Sequence, residues 1–172
     1  FNLTASSDSQ GVITYSVVPG GTGSVSLSGT NNKTVTPGNA GTIIIRATQV
    51  ADGNYTAATK EITLTIAKKA LTVAVSADNK IYDKTTSASF TFAAIPLEGI
   101  VGSDSVSIDQ IPTFTFASTD VGTAIAVTAT GNFRLTGAAA SNYSLTQPTD
   151  LKANITEAAL TVTSDANQTK VY

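Results

Sequence analysis

The sequence predicts an all-β chain of tandem antiparallel β-sandwich modules joined end to end by short linkers. Three observations predict it: apolar and polar residues alternate almost strictly, turn signals punctuate the chain at short intervals, and a long motif repeats within it.

The alternation places Ile13, Tyr15 and Val17 on one strand face, and likewise Val25 with Leu27. Ile62, Leu64 and Ile66 form a third set, followed by Leu71, Val73 and Val75, then Phe90 with Phe92, and Phe114 with Phe116. Ile125, Val127 and Ala129 complete the series, with Thr, Ser, Ala or Lys between members. A period of two with one wet face is the pattern of an antiparallel sheet. No amphipathic helix is apparent, and Gly137–Ala140 has the composition for a single turn. Pro19-Gly20-Gly21, Asn31-Asn32, Pro37-Gly38-Asn39, Asp52-Gly53-Asn54, Gly102-Ser103-Asp104 and Gly131-Asn132 fall where strands should end. Gly and Asn in these turns supply positive φ.

Composition narrows the chemistry. Hydrophobic residues make up 41% of the 172-residue chain and charged residues only 13%, the latter about half the usual share. Thr and Ser provide the polar surface, and β-branched Thr favours strands. Cys and His are both absent. No disulfide, Ser-His or Cys-His catalytic pair, or His-ligated metal site can therefore be built. Nothing brings two carboxylates together across a cleft, as glycoside hydrolysis would need, so no enzymatic activity is expected. The net charge of −2 without a basic cluster argues against nucleic acid as a partner. No apolar run reaches the roughly 18 residues of a membrane span, so no direct membrane insertion is expected. The chain begins with Phe1 and shows no leader, and it reads as a segment of something longer.

The repeat sets the organisation. Ile66-Ala67-Lys68-Lys69-Ala70-Leu71-Thr72-Val73 returns 89 residues later as Ile155-Thr156-Glu157-Ala158-Ala159-Leu160-Thr161-Val162. Asn54-Tyr55 and Asn142-Tyr143 precede the two copies, and Lys80-Ile81-Tyr82 and Lys170-Val171-Tyr172 follow them. Such a period suits one immunoglobulin-sized sandwich per repeat. Modules are expected at 1–67, with its first strand missing, at 68–157, and at 158–172 as the start of a third. The linkers, Lys68-Lys69 and Glu157-Ala158, lack Gly, Ser or Pro, which favours a stiff end-to-end arrangement.

Residues 69–157 resemble the YDG-type Ig-like repeat of bacterial surface proteins. The resemblance rests on Ala70-Leu71-Thr72-Val73, Lys80-Ile81-Tyr82-Asp83-Lys84-Thr85-Thr86, Asp120-Val121-Gly122-Thr123 and Asn142-Tyr143-Ser144-Leu145-Thr146-Gln147-Pro148. Lys84 stands where the motif has its name-giving Gly. Residues 158–172 resemble the start of an MBG-type repeat. Residues 1–67 resemble the bacterial Ig-like modules that alternate with such repeats, through Phe1–Ser7, Val12–Val17, Gly41–Gln49 and Gly53-Asn54-Tyr55. The resemblance implies a large secreted, repetitive adhesin of Bacteroidetes type. It implies extracellular, cell-surface localisation, a role in cell adhesion or gliding motility, and export by type IX secretion.

Candidate sites are few. Tyr55 and Tyr143 read as structural tyrosines, because they recur at matching places; Tyr82 and Tyr172 read as repeat-start packing residues. Asp78 and Asp83, near a module opening, are the candidate calcium ligands among the loop carboxylates that also include Asp104, Asp109 and Asp120; no other cofactor is expected. Ser105, in Asp104-Ser105-Val106, resembles an acceptor for O-glycosylation. Phe133, in Gly131-Asn132-Phe133-Arg134, is either a packed aromatic or a ligand contact. The expected function is a stiff stalk in a long adhesin, with neighbouring repeat modules as partners and surface polysaccharide or the secretion and motility machinery as further ones. Direct recognition of a carbohydrate or protein by a module's loops is the alternative.

Overall fold

A computed structural model describes residues 1–92, 97–164 and 169–170. Val171 and Tyr172, invoked above as a repeat start, lie outside the described residues. The chain is all-β, with about 4% helix. Its strands are β1 (Ile13–Val18), β2 (Val25–Ser28), β3 (Thr34–Pro37), β4 (Gly41–Gln49), β5 (Ala58–Ile66), β6 (Lys69–Thr72), β7 (Val75–Ala77) and β8 (Lys80–Ile81). There follow β9 (Ser87–Ala88), β10 (Phe90–Phe92), β11 (Ser107–Gln110), β12 (Thr113–Phe116), β13 (Gly122–Thr130), β14 (Arg134–Thr136), β15 (Tyr143–Thr146) and β16 (Lys152–Thr156). Single 3-10 turns occur at Thr30–Asn32 and Ala140–Asn142.

The chain divides into two compact units, each assembled from separate segments. The first comprises Phe1–Thr72, Leu97–Asp109 and Leu135–Thr146. Its main sheet runs β1-β4-β5, all antiparallel. Central β4 carries a run of Ile, and the pleat turns Ile43 and Ile45 inward, each 1% exposed, against Tyr15 and Val35. Gln49 is also buried, and its side-chain amide donates to the carbonyls of Ser9 and Gly11 at 3.3 and 3.1 Å. Ile62, expected on a core face, is 52% exposed. It lies on β5, which is an edge strand with a single hydrogen-bonded neighbour. β2 and β3 form a separate antiparallel ladder, and β6 pairs with β15.

The second unit comprises Val73–Pro96, Gln110–Arg134 and Gln147–Tyr172. Its five-stranded sheet has the order β8-β16-β13-β12-β9. Alternation on β12 buries Phe114 and Phe116, and Val127, Ala153 and Ile155 are buried from β13 and β16. β7 and β10 pair antiparallel beside it in sequence register Phe90↔Ala77 and Phe92↔Val75.

Two ladders depart from the expected antiparallel pattern: β6 with β15 and β8 with β16 run parallel. The Leu71-Val73-Val75 face is correspondingly divided, because β6 ends at Thr72 with a parallel partner and β7 begins at Val75 with an antiparallel one. Side-chain alternation is the same in both kinds of ladder, so it cannot distinguish them when a strand is short and its other face is wet.

Several turns use the positive φ that the sequence leads one to expect, including Gly20, Asn31, Asn32, Gly102 and Gly131. Lys84 also has positive φ, at 64°. A Cβ in that region costs roughly 1–2 kcal/mol, and the extra freedom of Gly in the unfolded chain offsets about 0.4–1 kcal/mol of it. Lys84→Gly is therefore expected to stabilise the protein by about 0.5–1 kcal/mol, read as a higher urea midpoint at unchanged slope. A lower midpoint would contradict this account of the turn.

Candidate functional site

The polar side chains that could do chemistry are mostly engaged in holding turns. In the first unit, Asp52 gathers two chain segments. Its Oδ2 accepts from Ser9 Oγ at 2.6 Å and the Gln10 N–H at 2.9 Å, and its Oδ1 accepts from the Asn54 and Tyr55 N–H groups at 2.9 Å each. These donors, the Ser9 hydroxyl foremost, hold the Asp52 carboxyl at about 2, below its ordinary 3.8. Tyr55 itself is 49% exposed.

Tyr143 has different surroundings. It is 4% exposed, and its hydroxyl donates to Asp104 Oδ2 at 2.6 Å while accepting the Val101 N–H at 2.9 Å. The hydrogen bond to the Asp104 carboxylate, with burial, raises the Tyr143 pKa above its ordinary value. The preceding Asn142 accepts the Ala40 N–H through Oδ1 at 2.9 Å and donates through Nδ2 to Asn39 Oδ1 at 3.2 Å. The two Asn-Tyr pairs are alike in sequence and unlike in environment.

In the second unit, the most connected group is Lys80. Its ammonium donates to Asp83 Oδ1 at 2.7 Å, to the Thr85 carbonyl at 2.6 Å and hydroxyl at 3.0 Å, and to the Ser87 carbonyl at 3.2 Å. It also stands 5.4 Å from the centroid of the Phe116 ring, within cation–π range. Asp83 accepts from the Thr85 N–H and hydroxyl as well, and the Lys80 hydrogen bond is the largest cause holding its carboxyl at about 2.

Asp78, the other candidate calcium ligand, accepts from Thr91 Oγ1 at 2.8 Å. Asp78 and Asp83 thus serve different turns, and among the described residues no group of three or more Asp, Glu, His or Cys stands together to hold a metal. Phe133 is 3% exposed, with its ring 5.7 Å from Phe92 and 6.3 Å from Phe114. Ser105 is exposed, and its carbonyl accepts the Ala139 N–H. Gly137 has φ of 112°, and a Cβ there would run into that Ser105 carbonyl, so this turn needs Gly on two counts.

Three features were not foreseen. Gln147 clamps the Phe133 backbone, accepting its N–H at 2.8 Å and donating to its carbonyl at 3.0 Å. Asp52 organises a loop at long range, which no local motif announces. A hollow of about 200 Å³ in the first unit is lined by Ala5, Ser6, Ser7, Ile13, Ala47, Gln49, Ala58, Thr59 and Lys60. It is open because small side chains meet there, a signal that is diffuse in an Ala- and Ser-rich sequence.

The lowered carboxyls of Asp52 and Asp83 have a consequence for pH. A carboxyl with a folded pKa below its unfolded one stabilises the fold above the unfolded value and loses that contribution as pH falls. Stability is therefore expected to decline between about pH 4 and pH 2. Asp52→Asn with Asp83→Asn should flatten that decline, as read by thermal unfolding across the range; an equally steep decline in the double variant would refute the assignment.

Fold and site together define an all-β chain whose Asp52, Asp83, Asp104 and Lys80 side chains hold neighbouring loop atoms. Residues 67–150, just under half of the 172-residue chain, match the YDG domain. No curated protein and no solved structure matches the chain.

The family match corrects several expectations. YDG domains of the SRA type are known as DNA- and methylcytosine-binding modules. The identification as Ig-like YDG/MBG-type adhesin repeats is withdrawn accordingly. The stalk function, the carbohydrate-binding alternative, and the links to gliding motility and type IX secretion are withdrawn with it. So are the surface polysaccharide, the secretion machinery and the adhesin repeats as partners, and nucleic acid is no longer excluded. The physical reason is that motifs such as Asp120-Val121-Gly122-Thr123 and Asn142-Tyr143 encode turns and strand starts. These determine how a module folds and leave its partner open. Among the described residues, no helix is long and apolar enough to cross a membrane.

Proposed function

We propose that this chain is a non-catalytic binding module, displayed outside the cytoplasm, that presents a rigid loop surface on packed β layers. The observation that carries this reading is the saturation of its polar loop groups. Asp52, Asp83, Asp104 and Lys80 each hold neighbouring loop atoms. The finer architecture, sandwich modules in tandem, is supported by the inward-outward alternation on β4 and β12. The test is turnover of general esterase, glycosidase, phosphodiesterase and peptidase substrates by the purified chain. Activity that follows the protein through repurification and disappears on denaturation would overturn the reading.

The YDG match favours one ligand class for a second reading, DNA carrying a modified base. Charge weighs against strong backbone contact. Residues 67–150 hold five cations (Lys68, Lys69, Lys80, Lys84 and Arg134) against seven carboxylates (Asp78, Asp83, Glu98, Asp104, Asp109, Asp120 and Asp150), and Lys80 is already engaged. Affinity would have to come from base recognition more than from phosphate neutralisation. Fluorescence anisotropy with methylated and unmethylated duplexes at low salt decides the matter. Preferential binding of the methylated duplex establishes this second reading, and equal absence of binding at about 10 µM, a concentration at which even non-specific DNA contacts are commonly seen, removes it.

A further inference from the structure

Asp52-Gly53 is the one Asp-Gly pair in the chain, and the sequence contains no Asn-Gly. In an Asp-Gly pair the side-chain carboxyl is open to attack by the next main-chain nitrogen, because Gly carries no Cβ to hinder the approach. Gly53 is exposed, and its φ lies outside the left-handed region. Beyond its chain neighbours, a Cβ built there would meet no described residue within 4 Å.

The attack has a defined course. The Gly53 nitrogen bonds to the Asp52 Cγ and gives up its proton, the carboxyl hydroxyl leaves as water, and a succinimide ring remains. Water then opens the ring. Opening at the side-chain carbonyl restores Asp52. Opening at the main-chain carbonyl leaves the chain running through the side chain, as isoaspartate. The water lost is regained, and no other reactant is needed.

This course requires a neutral carboxyl, to supply the leaving hydroxyl, and a carboxyl plane free to turn toward Gly53. The fold opposes both. Oδ1 accepts from the Asn54 and Tyr55 N–H groups, and Oδ2 accepts from the Ser9 hydroxyl and the Gln10 N–H, so the plane is pinned at both oxygens. The same donors favour the ionised form. With the carboxyl at about 2 instead of 3.8, its neutral fraction near neutral pH falls by about fiftyfold.

We propose that Asp52-Gly53 is a latched site of isoaspartate formation, held unreactive by the donors of Ser9, Gln10, Asn54 and Tyr55 and opened when the Ser9-Gln10 segment lets go. Conversion adds one carbon to the main chain and takes one from the side chain, so the carboxylate no longer spans the two segments. The released segment carries the Ser9 and Gly11 carbonyls that receive the buried Gln49 amide.

The test uses the full chain, kept folded near neutral pH at body temperature. Isoaspartate is counted by enzymatic methylation with an isoaspartyl methyltransferase and placed at Asp52 by electron-transfer fragmentation. Ser9→Ala is expected to raise the rate about tenfold, the weight of one hydrogen bond to a charged group. Ser9→Thr, which keeps a hydroxyl, is expected to stay near the parent rate. Gly53→Ala in the Ser9→Ala chain should remove most of the gain, and the open space at Gly53 admits that Cβ. Should Ser9→Ala fail to fold, the parent chain decides alone: isoaspartate at Asp52 is expected to form more slowly in the folded chain than in urea. Equal rates in the folded and urea-unfolded parent, or a folded Ser9→Ala chain no faster than the parent, overturn the proposal.

Discussion

Phe133→Ala is expected to destabilise the protein by about 3–5 kcal/mol, the range for truncating a buried aromatic ring. The ring is 3% exposed, and its nearest aromatic neighbours, Phe92 and Phe114, lie 5.7 and 6.3 Å away. Phe90 extends the cluster, 4.7 Å from Phe114 and 5.1 Å from Phe92. Removing Phe133 withdraws one ring from a group packed in tilted and edge-on contacts, each worth roughly 0.5–1.5 kcal/mol beyond area burial. Collapse cannot readily fill the space, because Gln147 holds the Phe133 backbone at both its N–H and its carbonyl. Those two hydrogen bonds survive the substitution and keep the turn in place over a cavity. Urea unfolding checks the expectation through a lowered midpoint. A loss within about 0.5 kcal/mol, normal for an exposed side chain, would return Phe133 to the surface as a ligand contact. Gln147→Ala in the Phe133→Ala background is the companion measurement, since releasing the clamp should let the site relax and make the two losses less than additive.

Much of the strand pattern could be read from the sequence because burial here follows a period of two. Phe114 with Phe116 occupy the alternate inward positions on β12 that the sequence pattern assigns them, whereas the continuous run Ile43-Ile44-Ile45 on β4 does not announce which of its members turn inward. Turn chemistry was legible for the same local reason, as at Gly20, Asn31 and Gly131. What stayed hidden depends on partners distant in sequence. The parallel pairing of β6 with β15 joins residues more than seventy positions apart, and nothing in Lys69–Thr72 specifies the direction of its neighbour. Asp104 looked like one loop carboxylate among several, and its meeting with Tyr143 depends on the chain's return through the first unit. The matching Asn-Tyr pairs illustrate the limit well. Tyr55 and Tyr143 share a local sequence, yet one is half exposed and the other buried against a carboxylate. Partner identity was the least legible property, because the motifs that repeat are those that form turns and strand starts.

Tyr143 provides the second large effect and a way to divide it. Tyr143→Ala is expected to cost about 3–5 kcal/mol, since it removes a buried ring along with the hydroxyl. Tyr143→Phe keeps the ring and removes only the oxygen, leaving the Val101 N–H and the Asp104 carboxylate without that partner. Its cost should be about 1–3 kcal/mol, so the difference between the two variants measures the ring. Asp104→Asn tests the electrostatic part separately. The Asp104 carboxylate raises the Tyr143 pKa because it accepts the hydroxyl proton's hydrogen bond and repels the phenolate. A raised folded pKa stabilises the fold below the unfolded value near 10, and that stabilisation is lost as pH rises through the folded value. Asp104→Asn should therefore lower the pKa of this one tyrosine and soften the alkaline loss of stability. With five tyrosines and no tryptophan in the chain, the difference in phenolate absorbance between Asp104→Asn and the parent reads the shift directly. An unchanged titration would mean that Asp104 does not engage the hydroxyl in solution. The Leu97–Asp109 segment would then be held mainly by its backbone bonds, such as that from the Asp104 N–H to the Val101 carbonyl.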